Sequence, residues 1–340
     1  MPVVVAPERP AAPPTTTAAE PILKVADLHK TFPVKLGMFK RGAVSAVNGV
    51  SFDVYPGETL GIVGESGCGK STTARLIMRL IDPTAGDITF DSEDARKMNR
   101  LVLYRRMQMV FQDPYSSVNP RMSIGENIAF PMKVHSYDSD QMRERTATLL
   151  RQVGLHPNHA SYFPHQMSGG QLQRVNIARA LALEPKVVIC DEPVSALDKS
   201  IQAQVLNLLK DLQRDLNLTY IFISHDLNVV EYMSDRVLVM YLGQVVESCA
   251  SDELYRNPLH PYTKVLLSSI PKTDPDERTS GEQVSGEIPS PLNPPSGCRF
   301  RTRCPSAMAM CAESRPLMRQ PNADHNVACF LYESEVPTHA

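Results

Sequence analysis

The sequence predicts an α/β fold. It should hold a largely parallel sheet covered on both faces, an inserted helical subdomain and a C-terminal appendage that carries cysteines. Three observations point to this. Short, fully apolar runs at 59–63, 187–190 and 220–223 alternate with segments of helical period. The stretch from about 113 to 182 reads as helical throughout. From about Pro258 onward prolines are frequent, and four cysteines cluster there.

Composition narrows the class. The chain has 340 residues, 42% of them apolar, enough for one large domain plus an appendage. Its formal net charge of −2 provides no basic field for a nucleic acid. No apolar run is long enough for a transmembrane helix, and the apolar run at residues 1–7 is too short for a secretory signal, so a cytosolic location is expected. Seven cysteines, with Cys68, Cys190 and Cys249 far apart, do not make a secreted disulfide framework.

In chain order, residues 1–20 are rich in Pro, Ala and Thr and read as a disordered tail. A first strand is expected from Ile22 to Leu28. Residues 33–44, with Lys35, Lys40 and Arg41 and no acid, read as an exposed loop. Residues 51–54 alternate as a strand, Pro56-Gly57 turns, and 59–63 is a buried strand. A helix follows from Thr72. Short strands are expected at 88–90 and 108–111. Ser123 marks a helix start, and 142–153 is a charged helix with Leu149, Leu150 and Val153 on one side. The core resumes at 187–190. Helix 201–216 carries Val205, Leu208, Leu209 and Leu212 at helical spacing. Strand 220–223 follows, then a hairpin turning at Leu242-Gly243.

The stretch around which these elements are arranged is Gly64-Glu65-Ser66-Gly67-Cys68-Gly69-Lys70-Ser71, followed by Thr72. It fills every fixed position of G-x-x-x-x-G-K-[ST], between a strand and a helix. The glycines let successive N–H groups curl inward onto phosphate oxygens, and the helix N-terminus adds partial positive charge. Lys70 can reach the β- and γ-phosphates, and the Ser71 hydroxyl can ligate Mg²⁺. A plain glycine turn would not require this combination of residues and flanks. Cys68, beside Lys70 and a helix N-terminus, is expected to have a lowered thiol pKa; the alternative is a small side chain pointing away from solvent.

Asp191 ends an apolar strand, as a Mg²⁺-organising carboxylate should. Glu192 beside it can accept a proton from, or orient, a water attacking the γ-phosphate. His225 ends the next apolar strand and could contact the γ-phosphate. Gln112 ends another and could reach Mg²⁺ or water through its amide. Alone, each has a plain structural alternative; together they form a set. Ser168-Gly169-Gly170-Gln171 opens a helix, with Ser168 a good N-cap. A second phosphate-binding helix terminus suggests two half-sites, completed when two copies meet head-to-tail.

Over roughly residues 22–330 the chain resembles the nucleotide-binding subunit of an ATP-binding cassette (ABC) transporter, with its P-loop NTPase core. The resemblance makes Gln112 the Q-loop glutamine. It makes residues 167–171 the signature motif, with Met167 where leucine is more usual. Residues 187–191 match the Walker B strand, Glu192 the catalytic glutamate, 195–198 the D-loop and His225 the switch histidine. Phe32, with Phe39 as rival, lies where the family stacks an aromatic on adenine. The implied cofactors are ATP and Mg²⁺, with Ser71, Gln112 and Asp191 around the metal.

Residues 257–263 and the cysteine-rich tail resemble dipeptide and oligopeptide importers, most of all the second of their paired ATPases, often called the F subunit. This implies an ATPase domain over 21–256 and a transporter C-terminal domain over 257–340. It also implies two membrane permeases, a second ATPase forming a heterodimer, a peptide-binding protein, and a place on the cytoplasmic face of the inner membrane. The rival readings are a soluble ABC ATPase of DNA repair or translation, a non-hydrolysing regulatory subunit, and an importer ATPase for nickel complexes or glutathione.

Cys298, Cys304, Cys311 and Cys329 concentrate four thiols in a short stretch, which suggests a metal site rather than disulfides. The spacing is not a paired C-x-x-C, and Cys304-Pro305 is a pair often found beside iron–sulfur ligands. Arg299, Arg301 and Arg303 could offset the charge of four thiolates. The resemblance also points to a [4Fe–4S] cluster; zinc and free thiols remain the alternatives.

Overall fold

The structure is a computed structural model that describes residues 20–35, 37, 41–270, 287 and 289–333. The expected disordered tail, apart from Glu20, lies outside the described residues, as does Phe39.

The chain starts with strands β1 (Leu23–Lys35), β2 (Arg41–Val54) and β3 (Thr59–Val63), then helix α1 (Lys70–Ile77). Next come β4 (Ala85–Phe90), β5 (Glu93–Asp94), α2 (Arg100–Arg106) and β6 (Met107–Val110). An antiparallel sheet of order β2-β1-β4-β5 forms from these. It corrects the expected loop at residues 33–35 and 41–44, because Phe32 pairs with Val44 and Lys35 with Arg41 in a long antiparallel ladder. Lys35 is exposed in β1, compatible with a strand, since an antiparallel sheet can present one face to water, while Lys40 lies outside the described residues.

The helical block holds α3 (Ile124–Val134), α4 (Ser139–Gln152) and α5 (Gly169–Ala180). Ser123 caps α3 as expected, in a reciprocal capping box with Glu126. In α4, Leu149 and Leu150 are fully buried, and Val153 caps its C-terminal end.

The core then resumes with β7 (Val187–Asp191), α6 (Lys199–Leu216), β8 (Thr219–Ile223), α7 (Leu227–Met233), β9 (Arg236–Tyr241) and β10 (Gln244–Ala250). The chain continues through α8 (Ser251–Arg256), α9 (Pro261–Ser268), α10 (Met310–Glu313), β11 (Arg319–Asn322) and β12 (His325–Val327). The second sheet has the order β11-β12-β10-β9-β3-β8-β7-β6. Strands β9, β3, β8, β7 and β6 run parallel, and β10 and β12 extend the sheet antiparallel.

Alternate residues of the parallel strands feed two different cores. Val188, Cys190, Tyr220 and Phe222 pack on one side, and Val187, Ile189, Ile221 and Ile223 on the other. That is why these strands read as unbroken apolar runs rather than alternating ones.

The segment after Pro258 does not stand apart from the core. Strand β12 pairs with β10, Glu247 opposite Val327. Glu247 is fully buried, and its carboxylate is satisfied by donors from the same region. Oε1 lies 2.7 Å from His325 Nε2 and accepts the Leu259 N–H at 2.7 Å, while Oε2 accepts the His260 N–H at 3.0 Å. Among the described residues, no helix is long and apolar enough to cross a membrane.

Candidate functional site

β3 delivers the chain into the glycine loop from the middle of the sheet. Gly64 has φ 150°, and a Cβ there would collide with the Met240 carbonyl. Gly69, at φ 108°, is the N-cap of α1 and lies against the Ala46 carbonyl. Only glycine meets both conditions.

Ser66, Gly67, Gly69, Lys70, Ser71 and Thr72 line one side of a cavity of about 480 Å³. Gln112, Glu192 and His225 approach it from three other segments, and Ala46 of β2 completes the wall. No motif in the sequence marks Ala46; strand β2 carries it to the cavity. The Lys70 ammonium is buried and donates to the Gly64 carbonyl at 2.7 Å and the Glu65 carbonyl at 3.1 Å.

Ser71 Oγ donates to Asp191 Oδ1 at 2.8 Å, joining the start of α1 to the end of β7. Burial pushes the Asp191 carboxyl above its usual range, opposed by the Ser71 bond and the charges of Arg75 and Lys70. A hydroxyl and a carboxylate side by side are hard oxygen donors of the kind Mg²⁺ takes.

Glu192 follows with a left-handed backbone, φ 50°, while its N–H donates to the Ile223 carbonyl at 2.9 Å. The peptide stays tied to β8 as the side chain turns into the cavity. Glu192 Oε2 accepts from Gln112 Nε2 at 3.0 Å and lies 3.2 Å from His225 Nδ1. Gln112, expected near Mg²⁺, thus has its amide on the carboxylate.

Other expected residues fall outside the cavity. Ser168 caps α5 in a capping box with Gln171, and none of Ser168, Gly169, Gly170 and Gln171 is in the lining. Phe32 is half-buried in β1 beneath the Lys30 ammonium, 5.1 Å from the ring centre, and is also outside the lining.

Cys68 corrects an expectation. Its thiol is buried, and burial raises its pKa more than Lys70 lowers it. Glu65 also turns away from the cavity. Its carboxylate takes a two-point bond from Arg303, and its N–H donates to the Tyr262 hydroxyl at 2.9 Å.

The C-terminal thiols are near one another. Cys329 is pushed up to about 11 by burial, and the other three cysteines add to that shift. Yet among the described residues no group of three or more His, Cys, Asp or Glu could hold a metal ion, so the iron–sulfur and zinc expectations find no support. The arginines do not serve the thiols either. Arg299 donates to the Leu242 carbonyl, Arg301 to Ser296 and Arg303 to Glu65.

Comparison with known proteins agrees with this geometry. Residues 47–195 match the ABC transporter family, and residues 246–311 match the oligopeptide/dipeptide transporter C-terminal region. The oligopeptide transport ATP-binding protein AppF of Bacillus subtilis is 51% identical, over 94% of this chain and 99% of its own length. OppF of Escherichia coli, also named an oligopeptide transport ATP-binding protein, is 50% identical over 93% of this chain and 97% of its own. Among solved structures, a CbiO subunit from Clostridium perfringens, part of the ABC transporter complex CbiONQ, is 29% identical. It superposes with TM-score 0.61 over 70% of this chain and 91% of that one. An ATP-binding cassette solved as a dimer after hydrolysis, bound to ADP and Pi, is also 29% identical, with TM-score 0.59 over 67% of this chain and 98% of that one. With half its residues identical over nearly its full length, with Glu192, Gln112 and His225 beside the phosphate loop, and with Asp191 bonded to Ser71 of that loop, the chain belongs to the ATP-binding proteins of the ABC transporters.

Proposed function

We propose that this chain is the ATP-hydrolysing subunit that energises oligopeptide import through a membrane transporter. The observation that carries the reading is the 51% identity to AppF over 94% of the chain. The matched C-terminal region, 246–311, favours peptides over nickel complexes or glutathione and over a role in DNA repair or translation.

In the site, loop N–H groups and Lys70 bind the nucleotide phosphates. Lys70 exchanges its two loop carbonyls for phosphate oxygens, which carry more charge. Ser71 and Asp191 would hold Mg²⁺, which when bound supplies charge neutralisation to the phosphates. Glu192 orients the attacking water and takes its proton, while Gln112 and His225 keep the carboxylate aimed. Ser168, Gly169, Gly170 and Gln171, exposed or half-exposed at a capped helix terminus, are offered to the nucleotide of a partner ATPase.

The reading includes two permease subunits, a second homologous ATPase, a peptide-binding protein, and a position on the cytoplasmic face of the inner membrane. It keeps the ATPase domain at 21–256, the helical subdomain at about 113–182 and the transporter C-terminal domain at 257–340. Deleting the gene and following uptake of a labelled tripeptide by whole cells tests this reading. Uptake should fall and return with the parent gene but not with Lys70→Ala; undiminished uptake in a strain lacking other peptide importers would overturn it.

A further inference from the structure

The C-terminal segment touches the phosphate loop directly. Arg303 Nη1 donates to Glu65 Oε2 at 2.8 Å and Nη2 to Oε1 at 3.0 Å, a two-point grip across 238 positions of sequence. The contact is sheltered, with the Arg303 side chain 9% exposed and that of Glu65 21% exposed.

Arg303 is held firmly on its own side. Nearby Phe300 is buried in an aromatic cluster, 5.3 Å from Tyr241 and 5.4 Å from Tyr262 between ring centres. Arg303 Nη1 also reaches the Tyr241 hydroxyl at 3.4 Å. Tyr262 takes the Glu65 N–H, so side chain and backbone of one loop residue are both anchored to residues beyond 240. A second anchor lies at Cys68, whose carbonyl accepts the Gly243 N–H at 2.7 Å; Arg299 in turn holds the preceding Leu242 carbonyl.

Glu65 puts a carboxylate into the phosphate loop itself. It is the second member of a loop whose task, on the reading above, is to bind a polyanion. An unneutralised carboxylate there would repel the phosphates through a partly desolvated medium. A bidentate arginine removes that charge and fixes the direction of the side chain.

We infer that Arg303 is a positioning residue of the nucleotide site, one that clamps Glu65 and keeps its carboxylate off the bound phosphates. The C-terminal region thereby contributes to ATP binding without touching ATP. This inference rests on the loop being the ATP site.

The test is a double-mutant cycle in the full chain, read as the Kd for a fluorescent ATP analogue with Mg²⁺. Arg303→Gln should raise Kd about tenfold in the parent chain. With Glu65→Gln already present, the same change should cost less than about twofold, because no carboxylate is left to release. In hydrolysis assays the loss should fall on KM for ATP rather than on kcat. A merely structural arginine would weaken binding equally in both backgrounds. Equal losses, or an unchanged Kd for Arg303→Gln in the parent chain, would overturn the inference. If Arg303→Gln does not fold, Arg303→Lys carries the same cycle with a smaller loss of about threefold, again confined to the Glu65 background. Binding by the parent chain and its loss in Lys70→Ala report on the ATP site itself, so failure of the clamp and failure of that reading are told apart.

Discussion

Gln112 Nε2 donates to Glu192 Oε2 at 3.0 Å, tying the chain two residues beyond β6 to the residue after β7. Both strands are parallel neighbours in the sheet, so their C-terminal ends open on the same cavity. The glutamine fixes the direction of a carboxylate whose backbone sits at φ 50°. Glu192→Gln should therefore preserve nucleotide binding and shape while losing the charge that polarises water. Turnover should drop about 10²- to 10⁴-fold, measured by phosphate release in the assembled transporter. Parent-rate hydrolysis would remove Glu192 from the role of base.

Lys70→Ala acts earlier in the cycle. It removes the one buried ammonium of the loop, so ATP affinity itself should fall, by tenfold or more on the order expected for a charge-assisted phosphate contact. Titration calorimetry with Mg-ATP checks it, and a Kd within twofold of the parent would contradict it.

Cys68 should be a slow thiol. Buried, and pushed above the usual thiol range by that burial, it has little thiolate at neutral pH. Iodoacetamide labelling followed by peptide mass spectrometry should leave it largely unmodified in the folded chain at pH 7. Fast labelling that Mg-ATP blocks would show that the thiol faces the nucleotide after all.

His260 links folding stability to pH. It is buried, and burial lowers its pKa to about 4. Its Nδ1 must stay unprotonated to accept the Tyr262 N–H at 3.0 Å and cap α9. The unfolded chain then binds more protons than the folded one between the ordinary histidine value and about 4. Its contribution is constant above about pH 6.5 and is lost as pH falls toward 4, on the order of 3 kcal/mol in all. His260→Asn keeps a capping acceptor without the titration, so melting temperature should fall less steeply over that window. Parallel curves for the two proteins would contradict the assignment.

Tyr115 projects from the segment after Gln112 with 58% of its surface exposed, so the chain itself leaves it largely unpacked. The proposed function gives this chain membrane permease partners, and we propose that Tyr115 meets one of them. Tyr115→Ala should reduce peptide transport several-fold while leaving ATP affinity nearly as it was. Unchanged uptake would rule out a coupling role.

What could be read from the sequence was whatever is local. The glycine spacing of the phosphate loop, the apolar run ending at Asp191, and Ser123 with Glu126 three positions on each carry their own physical signature. The ladder across Phe32 and Val44 was hidden because its polar face looks like a loop when read alone. Sequence proximity sets Arg303 beside Cys304. Its partner is Glu65, and no local pattern announces a contact between residues so distant in the chain. At Cys68 the neighbours in sequence show the nearby lysine but not the burial that outweighs it.

The most direct test joins hydrolysis to transport in one vessel. The chain would be reconstituted with the proposed paired ATPase, permeases and peptide-binding protein in proteoliposomes, and ATP hydrolysis and accumulation of a labelled oligopeptide followed together. The account predicts that peptide enters only while ATP is hydrolysed, and that Glu192→Gln abolishes both while ATP still binds. Hydrolysis at a rate indifferent to permease and peptide, with no peptide accumulated, would contradict it.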